Sequence, residues 1–220
     1  MGSKLFGLKK LDLSFLKSKN KENQSQLEEK IAQLQQIIDT QKLQIEVLYL
    51  IVERYRSIIE ESEAKSVAEL SLLVKPLDST ITELKIYIQD QFHPYIYQEN
   101  FIFATEKALD IIFSWKKIKS PISFWLDFED MAKLKAADDI DMAIFICSLF
   151  RALGSDSAKV VIAKDKSAWV FFTFNNKDYI VDIKNKSMSA YPSGGEDIKE
   201  FFYSALYVFN DKEYKDLSQS

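Results

Sequence analysis

Between Leu27 and Ile59, apolar residues recur at alternating steps of four and three. A helix repeats every 3.6 residues, so this spacing lays them along one seam, the signature of a coiled coil. The a positions are Ile31, Ile38, Ile45, Val52 and Ile59, and the d positions are Leu27, Leu34, Gln41, Leu48 and Tyr55. β-Branched residues at a with Leu at d favour two parallel strands, and Gln41 puts one polar side chain in the seam, which fixes register at some cost. At 1.5 Å per residue the seam runs for about 50 Å. The reading is a coiled coil over 22–62 that pairs two copies. A coil with a different chain and packing against the same chain stand as alternatives, because Ile37, Leu43, Val47, Leu50, Ile51 and Ile58 widen the apolar surface beyond a two-row seam.

Residues 1–21 precede the seam as a basic arm, six lysines against one aspartate for a net of +5. Leu5, Phe6, Leu8, Leu11, Leu13, Phe15 and Leu16 interleave with those lysines. The arm is read as a flexible terminus, with docking on a partner and contact with an anionic membrane surface as the alternatives. Gly2 does not open a myristoylation motif, since Phe6 stands where Ser or Thr is needed.

The remainder is rich enough in apolar residues to build a core. Over the whole chain of 220 residues hydrophobic content is 47% and aromatic content 13%, with a net charge of −4, so no basic excess points to nucleic acid. One Cys excludes an internal disulfide and suits a reducing compartment. No apolar run approaches ~18 residues and no secretory leader is visible, so a cytoplasmic location is expected. Residues 63–100 read as a helical linker, in which Asp78 begins a capping signature that ends on Glu83. A helix is expected over 101–118, its end marked by Lys116, Lys117 and Lys119. Another is expected from Asp141 to Leu153, closed by Gly154. Strands follow at 158–163, 167–174 and 178–183, with a hairpin turn at Asn175-Asn176-Lys177. The last element, 196–209, carries a helical pattern, and 211–220 reads as a polar tail.

Within 101–210, Ala137-Asp-Asp-Ile-Asp-Met-Ala…Arg-Ala-Leu-Gly154, then Ser167-Ala-Trp-Val, then Tyr179-Ile-Val-Asp182 follow in order. This stretch resembles the transglutaminase-like family of the papain-like group. There a nucleophilic Cys opens the helix, a His begins a His-Ala-Trp-Val strand, and an Asp ends a Tyr-x-x-Asp strand. Asp139 stands at the Cys place and Ser167 at the His place, and only Asp182 agrees. The resemblance implies an α+β fold: a long N-terminal coiled-coil helix and helical linker, then a transglutaminase-like (papain-like) core with a small antiparallel sheet. It also implies a pseudoenzyme, for acyl transfer by a thiol needs a thiolate, a base and a group that orients the base.

The function expected is a catalytically inactive scaffold or protein-binding module, dimerised by the coil, with a protein or peptide partner in the old cleft. Asp139, Ser167, Trp169 and Tyr179 are the expected cleft residues. No cofactor or metal is expected. Asp138, Asp139 and Asp141 suit helix capping, and with Asp182 they match no calcium-loop spacing. Cys147 reads as core filler and His93 as structural. The rival readings are a hydrolase or transferase with a non-standard site, and an adaptor on a membrane surface or filament through the basic arm.

Overall fold

The computed structural model describes residues 14–63, 67–119 and 124–217. They form six α-helices, a 3-10 turn and eight strands. The chain divides into two units between Ser57 and Ile58. Helix α1, Ser14–Glu63, makes up the first unit and continues for a few residues into the second. The basic arm falls largely outside the described residues. Along α1 the apolar members of the seam are exposed, save Val52 and Ile59, which are half-buried.

The second unit is built round one helix. After a 3-10 turn, Val67–Leu73, come α2 (Ser79–Gln89) and α3 (Tyr97–Phe113). A two-residue strand β1 (Lys116–Lys117) follows, then α4 (Phe128–Leu134), a matching strand β2 (Ala136–Ala137) and α5 (Asp139–Ala152). Every residue of α5 from Asp141 to Arg151 is buried. A helix apolar all round has no face to give to water and needs cover on every side. Here α2, α3 and the sheet supply that cover.

The sheet has β3 (Lys159–Ala163), β4 (Ala168–Phe174), β5 (Lys177–Asp182), β6 (Ser187–Pro192), β7 (Ala205–Phe209) and β8 (Tyr214–Asp216). Their spatial order is β6-β5-β4-β3-β7-β8, antiparallel throughout. Burial alternates along β4. Ala168, Val170, Phe172 and Phe174 join the core with α5, while Trp169 and Phe171 turn to the other face. That face is closed by α6 (Glu196–Tyr203), whose Phe201 and Phe202 rings stand 5.2 and 5.1 Å from Trp169 and Phe171.

The caps agree with the sequence. Asp78 accepts from the Thr80 amide at 2.9 Å and starts α2. Asn175 and Asn176 both have positive φ, as a two-residue hairpin turn requires. Gly154 follows α5 at φ +112°, where a Cβ would meet the Tyr97 ring at 3.0 Å.

Several elements differ from expectation. Helix α3 starts at Tyr97 and stops at Phe113, so Lys116 and Lys117 belong to β1 rather than to a helix end. The segment 196–209 is not one helix, because Ala205–Phe209 leaves it to form β7 beside β3. Without β7 the long side of β3 would be an open edge in the middle of a hydrophobic layer, and the ladder outweighs the local helical pattern. The expected tail contributes β8, which pairs with β7.

Gly154→Ala is expected to lower unfolding free energy by roughly 1–3 kcal/mol, through a left-handed backbone and the Tyr97 contact. Urea titration against the parent chain measures the difference.

Candidate functional site

The site to test is the start of α5 and the two strand ends singled out by the family resemblance. Asp138 caps α5, its Oδ1 accepting from the amides of Ile140 and Asp141 at 2.9 and 2.8 Å. These are orphan donors of the first turn, and a carboxylate there also meets the positive end of the helix dipole. Asp139 is the first residue of the helix. Its Oδ2 accepts from Lys117 Nζ at 2.6 Å. Lys117 reaches it because β1 runs parallel to β2, with Lys117 level with Ala137. The Asp139 Oδ1 is buried and accepts no hydrogen bond from a described residue.

Asp141, one helical step further, is only 4% exposed. Burial pushes its carboxyl up to about 7, the Asp138 charge adds to the rise, and the Leu126 backbone opposes it. It borders a cavity of about 40 Å³ whose walls include Lys75, Asp78, Trp125, Asp127, Met131 and Ile144. A space of that size suits a water molecule rather than a substrate.

Ser167 precedes β4 in the β3–β4 turn. Its Oγ donates to Asp165 Oδ2 at 2.8 Å and its amide to Asp165 Oδ1 at 2.9 Å. These bonds hold the Asp165 carboxylate below its usual range. Asp182 ends β5, and its two oxygens accept from the amide and the side-chain nitrogen of Asn185 at 2.9 and 2.8 Å. Each of the three positions therefore has a side-chain partner: Asp139 has Lys117 across the β1–β2 pair, and Ser167 and Asp182 have their near neighbours Asp165 and Asn185.

The four expected cleft residues do not share a surface. Trp169 pairs with Asp182, and Phe172 with Tyr179. Tyr179 stacks on Phe172 at 4.8 Å with the rings parallel, on the sheet face that holds α5. Trp169 lies on the opposite face against Phe201. Side chains alternate along a strand, so one groove on this sheet cannot take both. The signal was in the turn: a two-residue Asn175-Asn176 loop sets Phe174 against Lys177, and parity does the rest.

Cys147 is fully buried within α5, and burial pushes its thiol pKa up. It packs as a small hydrophobe, the opposite of the exposed, electropositive setting that activates a thiol. His93 is exposed in the link between α2 and α3. No sequence motif marks the ion network that a buried Arg151 makes with more exposed carboxylates at the other end of α5. There Arg151 binds Asp211 through Nε at 2.6 Å and Nη2 at 3.3 Å, and Nη1 reaches the Ser155 carbonyl and Asp156. It ties the end of α5 to the β7–β8 turn, which makes it structural. Among the described residues, no group of His, Cys, Asp and Glu is placed to hold a metal ion.

No protein-family model matches the chain, and no curated protein matches it in sequence. Among solved structures it is similar to LapG of Legionella pneumophila, at 14% identity and a TM-score of 0.46, over 71% of this chain and 90% of that one. The calcium-bound form of LapG gives 14% and 0.41, over 63% and 88%. The EGTA-treated form gives 15% and 0.39, over 62% and 84%. Likeness at that level assigns neither a family nor an activity.

The Asp141 pKa fixes a sign. A carboxyl whose folded pKa of about 7 exceeds its unfolded value takes up a proton on folding. Its cost to stability is absent below about pH 4, grows as pH rises, and is complete above about 7. Asp141→Asn should flatten that slope and be more stable than the parent at pH 8 by about 2–4 kcal/mol. Unfolding curves of both chains between pH 4 and 8 test this, and equal slopes contradict it.

Proposed function

We propose that this chain is a catalytically inactive, transglutaminase-like scaffold, a protein-binding module paired with a second copy through α1. The observation that carries the reading is the exposed seam. From Leu27 to Leu48, all the large apolar side chains of the a and d rows lie open on a helix of 50 residues. Burying a Leu or Ile side chain is worth about 1.5–3 kcal/mol, so such a row gains most from an identical row on a partner helix. Among the described residues no helix is long and apolar enough to cross a membrane.

The proposed assignment to the transglutaminase-like group rests on sequence order and on its counterparts here: a central buried helix opening on Asp139, then antiparallel strands with Ser167 just before β4 and Asp182 at the end of β5. The absence of catalysis is argued from chemistry. A carboxylate held by Lys117 is a poor attacking group for an amide, and Ser167 has Asp165 rather than an imidazole beside it. A single thiol closed inside a core also suits life in a reducing compartment such as the cytoplasm. Partner binding then falls to α1 rather than to a cleft across the sheet.

Light scattering on the full chain at micromolar concentration should give twice the 25.5 kDa chain mass. Ile45→Asp, at the middle of the a row, should return it to a single chain. A parent chain that runs at one chain mass across that range contradicts the pairing. Amide or ester turnover by the parent chain that is lost in Asp182→Ala contradicts the catalytic part.

A further inference from the structure

Strands of the sheet alternate in direction, so the β3–β4 and β5–β6 turns come out at the same end. Ile162 pairs with Ala168, Trp169 with Asp182, and Asp182 with Ser187. Lys164 and Lys166 stand on the first turn and Lys184 and Lys186 on the second, all exposed. The Asp165 carboxyl, lowered chiefly by its bonds from Ser167, is lowered further by the Lys184 charge, which places the two turns side by side. Lys186 Nζ donates to the carbonyls of Phe113 and Trp115, so the end of α3 and strand β1 arrive at the same place. There Lys116, Lys117 and Lys119 are exposed, and the Lys116 amide donates to the carbonyl of the equally exposed Lys135 at 2.8 Å. The Lys164 amide donates to the Ser204 carbonyl at 3.2 Å, which adds the end of α6 with Tyr203.

Residues 114–119, 135–139, 164–167, 182–186 and 203–204 thus share one end of the globular unit. They hold eight lysines against four aspartates, a net of +4 in a chain whose total is −4. All four aspartates are engaged: Asp138 by the first amides of α5, Asp139 by Lys117, Asp165 by Ser167 and Asp182 by Asn185. Among the described residues Lys116, Lys119, Lys135, Lys164, Lys166 and Lys184 close no ion pair. Asp110 and Glu200 stand one turn back on α3 and α6. Like charges gathered this way repel, and an anionic counter-surface relieves the repulsion.

We propose that this lysine-bearing end of the globular unit docks on the surface of an anionic phospholipid bilayer. The lysines stand on the tips of separate turns, an arrangement that meets a broad anionic surface without having to match one ligand shape. Every cation here is a lysine, a hydrated point charge, whereas Arg151 is buried at the far end of α5. Ile118, 38% exposed between Lys117 and Lys119, and Tyr203, 79% exposed, supply apolar surface for the headgroup boundary. A nucleic-acid strand would call for a row of stacking aromatics, and Tyr203 is the one exposed aromatic in these segments.

Sedimentation of the full chain with vesicles tests this. The parent should pellet with phosphatidylcholine vesicles that carry about one third phosphatidylserine, stay in solution with phosphatidylcholine alone, and be released by rising salt. Lys164→Glu, Lys166→Glu and Lys184→Glu combined should weaken partition roughly 10–100-fold. The same three positions changed to Gln should weaken it less, and circular dichroism should match the parent in both. The control combines Lys107→Glu, Lys177→Glu and Lys215→Glu, exposed sites outside these segments, with the same change in net charge and the basic run at 1–21 intact. It should bind within about twofold of the parent. Equal loss in the control and the turn variants overturns the proposal, as does a parent that ignores phosphatidylserine or turn variants that bind as the parent does. A parent that binds a single-stranded oligonucleotide but not the vesicles assigns the lysines to nucleic acid and overturns it too.

Discussion

The enclosure of α5 is the constraint on which the globular unit depends. Eleven consecutive residues from Asp141 to Arg151 are shut away from water, which no helix can achieve by packing on one neighbour. The sheet covers one side through Val170 and Phe172, and α2 and α3 cover another. The ends of α5 follow from this enclosure. A buried helix start needs its amides satisfied from within, which Asp138 does, and a buried end needs a sharp exit, which Gly154 provides. Asp141 is the cost of that plan, a carboxyl carried inside on the first turn and held close to neutrality by its surroundings.

Helix α1 is the reverse case. It carries comparable apolar rows but has them exposed. Two helices in one chain, one covered on all sides and one on almost none, are what the proposed division between a folding unit and an assembling segment rests on. The chemistry at the start of α5 fits that division. Lys117, Asp165 and Asn185 engage Asp139, Ser167 and Asp182, the three positions on which the proposed inactivity is argued.

Much of the architecture was legible because it is local. The heptad spacing gave α1, Asp78 and Asp138 marked helix starts, and the Asn-Asn pair marked the β4–β5 turn. What stayed hidden depended on distant partners. Ala205–Phe209 satisfies a helical repeat as well as a strand repeat, and only the open side of β3 decides between them. Strand β6, Ser187–Pro192, is largely exposed and lacks an apolar alternation to announce it; its ladder with β5 defines it. The Lys117–Asp139 pair spans 22 residues and needs β1 to lie beside β2. Trp169 and Tyr179, expected to line one cleft, are sent to opposite faces by strand parity.

The central claim is that water is excluded from α1 by other copies of the chain. Amide hydrogen exchange across residues 27–59, followed at two protein concentrations well separated in the micromolar range, tests it directly. Slow exchange at the higher concentration that becomes fast on dilution, while the amides of α5 stay protected at both, is the expected result. Exchange along α1 that is fast at both concentrations, or slow at both in a chain shown to be single, would contradict it.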